Sequence, residues 1–259
     1  MPTVTRLALT PIKGTRVQTV DRIALTATGV REDRRFYLID DRDRMINGKI
    51  VGELQTMVAA YSEADRRLRL TFADGSGVED EVRLGEPVTT RFFSRPKVAR
   101  LVEGPWSAAL SEHVGRALRL VEADDVGGVD RGRQGAVSLI SCASLARLAE
   151  VGSLESIDPR RFRMLVEIDG VEAHAEDAWV STGSVRIGEA IVAFEGHVGR
   201  CLITSRDPDT GQVDVPTLDI LGTYRGELDA TEPLPFGVWG RVVRPGGVAL
   251  GDEVSPVDG

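Results

Sequence analysis

Apolar and polar side chains alternate in short runs over much of this chain. Residues 4–9, 20–25 and 68–72 carry the two-residue period of half-buried strands, and residues 35–40, Arg35-Phe36-Tyr37-Leu38-Ile39-Asp40, read as a more deeply buried one. Ala73-Asp74-Gly75-Ser76-Gly77 has the composition of a hairpin turn. Residues 185–194 predict a hairpin around Gly188-Glu189, and residues 242–250 another around Pro245-Gly246-Gly247. Residues 160–168 predict a strand with Phe162, Met164, Val166 and Ile168 on one face; Arg161, Arg163, Leu165 and Glu167 occupy the other, which is open to a ligand. Helical spacing occurs twice. Leu110, Val114 and Leu118 recur every four residues over 109–118, and Leu145, Leu148 and Val151 form a stripe behind Ser141, an N-cap residue. Residues 124–135, rich in Gly, Asp and Arg, predict a long loop, either a lid or a plain connection. The fold class is thus mainly β with a few helices (α+β), many short strands suggesting a barrel. Two domains are expected, 1–95 and 96–259, divided near Arg95-Pro96.

Composition narrows the function. The 259 residues are 42% hydrophobic and 28% charged, as in an ordinary soluble globular protein. A net charge of −8 argues against a general nucleic-acid binder, which needs a concentrated basic surface. No apolar stretch approaches the roughly 20 residues of a spanning helix. The opening Met1-Pro2-Thr3-Val4-Thr5-Arg6 reads as a strand rather than a signal peptide, so no membrane association and a cytoplasmic location are expected. Two cysteines, Cys142 and Cys201, make neither a disulfide framework nor a closed zinc or iron–sulfur set. Electrons for any redox step therefore come from another protein or a diffusible donor.

Cys201 is the leading candidate for chemistry. It lies in Gly199-Arg200-Cys201-Leu202-Ile203-Thr204-Ser205-Arg206-Asp207-Pro208-Asp209-Thr210-Gly211, where Arg200 favours a thiolate and the Pro- and Gly-bearing turn places the cysteine near a strand end. A thiolate suits a soft transition metal. Cys142, at a helix start without a motif, reads as structural. His113 reads as helix surface, whereas His174 and His197 fall near the proposed site.

The Cys201 run resembles the cysteine motif of the MOSC superfamily. Phe236-Gly237-Val238-Trp239-Gly240-Arg241-Val242-Val243-Arg244-Pro245-Gly246 with Gly251-Asp252-Glu253-Val254 is similar to that domain's closing strands, and Arg161-Phe162-Arg163 to its central arginine strand. Pro11-Ile12-Lys13-Gly14 and Asp33-Arg34-Arg35-Phe36 resemble the N-terminal barrel domain that precedes it in the mitochondrial amidoxime reducing component and bacterial relatives. The resemblance implies a MOSC β-barrel with a smaller N-terminal β-rich domain. It further implies molybdenum cofactor (molybdopterin), with Cys201 as metal ligand and catalytic centre, and pyridoxal phosphate binding. Lys13, one of Arg34 and Arg35, and Arg163 become phosphate and pterin contacts, with Arg200 and Thr204 from the cysteine motif beside them. Ser141 and Ser144 start a helix whose free N–H groups favour an anion. Asp177, in an acidic-aromatic segment ending at Trp179, is either a catalytic pocket residue or a turn carboxylate. Each charged residue has an ordinary alternative: Arg163 paired to Glu167, and Lys13, Arg34 and Arg35 simply solvated. The sequence departs from the family at Gly14, where a hydroxyl residue is expected, and at Leu165, where an asparagine is. The implied function is molybdenum-dependent reduction of N-hydroxylated or related N-oxygenated small molecules, fed by a separate flavin or iron–sulfur reductase. The alternatives are a cofactor or sulfur carrier, or a MOSC-fold biosynthetic enzyme without metal.

Overall fold

A computed structural model describes residues 1–124, 129–130 and 132–257; residues 125–128 and 131 of the expected 124–135 loop lie outside the described residues. An eight-stranded sheet dominates, in the order Val254–Val257, Ser184–Ile187, Ala190–Gly199, Pro235–Arg244, Val137–Ser141, Val166–Asp169, Thr3–Leu9, Gln18–Val20. The pair Val137–Ser141 and Val166–Asp169 is parallel. The Val254–Val257 margin meets the start of Thr3–Leu9, the strand beside the other margin. The Val4 N–H donates to the Asp252 carbonyl at 2.9 Å, Gly251 to Val4 at 2.8 Å and Val254 to Pro2 at 2.9 Å, which closes the sheet into a barrel and removes an exposed edge. Val4, Leu7, Leu139, Val166, Ile187, Val192, Phe194 and Val238 fill its core, with an irregularity between Val4 and Arg6 bringing Val4 and Leu7 to the same cluster.

A five-stranded sheet, in the order Met45–Ile46, Phe36–Ile39, Arg119–Ala123, Arg95–Glu103, Arg83–Phe92, packs with a three-stranded one of Val58–Ser62, Arg67–Thr71 and Gly77–Glu81. The helix Trp106–Val114 seals them, its buried Trp106 donating Nε1–H to the Leu68 carbonyl at 3.1 Å. Arg95-Pro96, where the division is expected, opens the strand Arg95–Glu103, which pairs with Arg83–Phe92.

Four expectations are corrected. Residues 160–168 are not one strand: Asp158 caps a 3-10 helix, Pro159–Phe162, by accepting from the Arg160 N–H, Arg163 turns left-handed (φ 55°), and the strand is confined to Val166–Asp169. Residues 242–250 do not form a hairpin with themselves; Gly246–Ala249 pairs with Arg22–Leu25. The helix expected at 109–118 occupies Trp106–Val114 and ends on Gly115 (φ 70°), the left-handed stop that glycine permits. The alternating segment 20–25 is likewise split between Gln18–Val20 and Arg22–Leu25.

Candidate functional site

A cavity of about 470 Å³ opens where the N-terminal segments meet the barrel rim. Its wall gathers Lys13, Arg34, Arg163, Arg200, Cys201 and Thr204 from segments far apart in sequence. Cys201 follows the strand Ala190–Gly199 by two residues, in extended backbone, with its thiol exposed. The 3-10 helix Leu202–Ser205 holds it there: the Thr204 N–H and hydroxyl both donate to the Cys201 carbonyl at 3.0 Å, and that hydroxyl also bonds Thr217 Oγ1 at 2.7 Å. Thr204 thus fixes the cysteine backbone. Beyond it, Asp207 Oδ1 accepts from the Asp209 and Thr210 N–H groups, building the expected turn. The turn is locked to the N-terminal part of the chain. Gly211 (φ 72°) crosses Gly52 so closely that a Cβ would lie 2.1 Å from the Gly52 carbonyl oxygen. Arg206 ties the crossing by donating to Gly211 O at 2.6 Å and Lys49 O at 3.3 Å.

Lys13, Arg34, Lys49, Arg163 and Arg200 line the cavity against Asp33, Asp130 and Glu232. Arg163 is 8% exposed and donates from Nη2 to the Thr15 carbonyl at 2.7 Å; burial, and then Arg34, bring its guanidinium down to about 10, and Cys201 is among the groups acting on it. Arg34, also left-handed (φ 48°), donates to the Arg163 carbonyl at 2.6 Å. Two non-glycine residues in this conformation, joined by a hydrogen bond, mark a place where the fold holds strain to aim side chains. Burial lowers the Arg34 guanidinium, and the nearby Asp33 and Asp130 more than reverse this. Asp130 pairs with Lys13 and lies 3.3 Å from Arg34 Nε. Burial pushes its carboxyl up, but Lys13 and Arg34 bring it down to about 2. Lys13 lies 5.9 Å from the ring centroids of Phe92 and Phe93, the latter exposed on the cavity wall. Arg200 donates to the Phe236 carbonyl at 2.8 Å and the Phe162 carbonyl at 2.9 Å, with its guanidinium 5.3 Å from the Phe162 ring.

The remaining candidates lie elsewhere. Arg35 faces a second groove, pairing with Glu122 at 2.7 Å and Glu63 at 3.3 Å, so the adjacent arginines divide: Arg34 inward, Arg35 away. Ser141 caps the helix Cys142–Val151 as expected, but the helix N-terminus is filled from within. Glu176 accepts from Ser141 Oγ at 2.9 Å, Ser144 Oγ at 2.7 Å and the Ser141 N–H at 3.2 Å, and burial raises its carboxyl above the ordinary range. Asp177 accepts from Arg225 at 2.7 Å and lies 3.8 Å from His197 Nε2, outside the described cavity wall. Cys142 sits by Thr5 and Glu167, and burial pushes its thiol up to about 11. Glu167 pairs with Arg6 at 2.9 Å rather than with Arg163. His113 stacks on Phe72 at 4.7 Å, and burial brings His174, beside Tyr224 and Phe236, down to about 4.

Both departures from the family pattern have structural accounts. Gly14 (φ 103°) presses on the neighbouring backbone, and a Cβ would lie 3.0 Å from the Gly48 N, so a hydroxyl residue here would be strained. Leu165 packs in the barrel core and does not share a face with Arg163, because the left-handed turn breaks the alternation. Asn47, Lys49, Asp130 and Glu232 of the cavity wall went unread in the sequence; they sit in irregular segments without period or motif.

Residues 124–255 match the MOSC domain, and residues 1–100 match the MOSC N-terminal beta barrel domain. The human mitochondrial amidoxime reducing component 2 is 34% identical over 102 residues, 36% of this chain and 29% of that protein, so the match spans under a third of its length. Its bovine counterpart is 25% identical over 97% of this chain and 82% of its own. Molybdenum cofactor sulfurase of Caenorhabditis elegans is 27% identical over 92% of this chain and 33% of its own. Among solved structures, the YuaD protein of Bacillus subtilis superposes with a TM-score of 0.44 at 13% identity, over 98% of this chain and 94% of that one. The two domain matches follow one another along the sequence, and the chain belongs to the MOSC family.

Proposed function

We propose that this chain is a molybdenum-cofactor-dependent oxidoreductase that removes oxygen from N-hydroxylated or related N-oxygenated small molecules, with Cys201 as metal ligand. The observation that carries this reading is an exposed thiol on the wall of a cation-lined cavity, in a chain whose relatives are named for amidoxime reduction and molybdenum cofactor sulfuration. The donor set fits such a group: a thiolate suits a soft metal, and guanidinium and ammonium groups suit a phosphate. When bound, the cofactor supplies the two-electron chemistry. Lys13, Arg34 and Arg163 would hold its anionic end. Thr204 fixes the Cys201 backbone, and Arg200 fastens the barrel rim beside it by gripping the Phe162 and Phe236 carbonyls. Phe93, 62% exposed at the cavity, offers an apolar surface to a planar substrate. A separate flavin or iron–sulfur protein delivers the electrons.

Molybdenum and pterin content of wild type and Cys201→Ala, purified from a cofactor-competent host, tests the reading. Near-stoichiometric metal that falls in the variant is the expected result; wild type devoid of metal and pterin, beside a loaded relative, would overturn it. The worm sulfurase match over 92% of this chain favours one second reading, a carrier of cofactor or sulfur. Turnover of an aromatic amidoxime with a chemical reductant separates the two, since a carrier gives none.

A further inference from the structure

We propose that Asp130 is a built-in counter-anion: its carboxylate occupies an anion site made by Lys13, Arg34 and Arg163, and a phosphate-bearing ligand binds by displacing it. The two carboxylate oxygens go to two different cations, Oδ1 to Lys13 Nζ and Oδ2 to Arg34 Nε, as two oxygens of a phosphate would. Position separates the acid from its partners. The Asp130 side chain is 32% exposed, against 15% for Lys13 and 16% for Arg34, so it lies on the solvent side of the cations it neutralises.

The site also stays built when Asp130 leaves. Arg34 retains Asp33 and the Arg163 carbonyl, and Arg163 retains the Thr15 carbonyl. Asp33 is a different kind of acid, because its Oδ1 accepts from the Thr10 N–H at 2.9 Å and anchors the loop. Charge gives the ligand class. Three cations against Asp33 and Asp130 leave +1; withdrawing Asp130 leaves +2, which matches a phosphate monoester dianion. For the natural ligand the inference rests on the cofactor reading, whose phosphate is the obvious occupant. The displacement itself does not depend on metal.

Titration calorimetry with inorganic phosphate at fixed ionic strength, on the full chain purified without cofactor, tests this. Asp130→Asn and Asp130→Ala are expected to bind phosphate about tenfold more tightly than wild type, because a like charge has left the site. Adding Lys13→Met to Asp130→Asn should abolish that gain. Folded variants that bind no more tightly than wild type would overturn the proposal. An independent arm uses wild type alone: carbodiimide labelling of Asp130, read by mass spectrometry, should rise with phosphate, and labelling that stays flat or falls would equally sink it. A gain in Asp130→Asn beside a wild type that never loads molybdenum would keep the anion site and discard the cofactor.

Discussion

Glu176 and Asp130 both place a carboxyl group where a bound anion is expected, but in opposite settings. Glu176 sits at a helix N-terminus, fully buried, held by two serine hydroxyls and a backbone N–H. Asp130 sits on a cavity wall, partly exposed, facing charged partners. The first completes the structure, because removing it strands buried donors. The second leaves a cation cluster that water or a ligand can satisfy. Whether an internal acid is framework or exchangeable counter-charge follows from what remains after it goes.

Replacing Glu176 by leucine breaks the framework side most severely. Ser141 and Ser144 lose their shared acceptor, and a loss of about 3 kcal/mol should appear in the denaturant midpoint. On the cavity side, Gly211→Ala forces a Cβ into the Gly52 carbonyl from a left-handed backbone, so about 2 kcal/mol should be lost. Because Cys201 rides on that turn, molybdenum content should fall with it, while Glu176→Leu molecules that remain folded keep theirs. Glu176→Gln is milder, about 1 kcal/mol, and its signature is pH. Burial raises the Glu176 carboxyl above 4.5, so its contribution is complete below that pH and is lost as pH rises through the folded value. The stability gap between wild type and Glu176→Gln should therefore shrink as pH rises. Asp130 runs the other way: held down to about 2 from 3.8, it contributes above pH 3.8 and loses that as pH falls toward 2. Asp130→Asn should change stability least, by under about 1 kcal/mol, as a partly exposed ion pair does. A larger loss would place Asp130 with Glu176 as framework.

Local signals were legible and non-local ones were not. Alternation marks Thr3–Leu9 and Arg67–Thr71, and Ser141 caps its helix, because side-chain period and capping are local physics. Alternation misleads at 160–168, where Asp158 and Pro159 form a helix start whose cap outweighs the pattern. Pro245-Gly246-Gly247 marks a real break, but the strand after it pairs with Arg22–Leu25, a partner no neighbouring residue announces. At the site, the motif residues Lys13, Arg34, Arg163, Arg200 and Cys201 converge on one cavity. Nothing local says that Arg35 turns away, or that Asp130 completes the cluster.

The closure of the barrel has a consequence for how the chain is made. Thr3–Leu9 is made long before its partners, since it pairs with Val166–Asp169 and its Val4 bonds Asp252. The sheet of residues 36–123 has all its strands available by then and can assemble during translation. Gln18–Val20 can pair with one edge of Thr3–Leu9 at once, but its other edge must wait unpaired until Val166–Asp169 and the tail of the domain arrive. Slow translation or a shortage of holding chaperones would then endanger the barrel before it touched the other half.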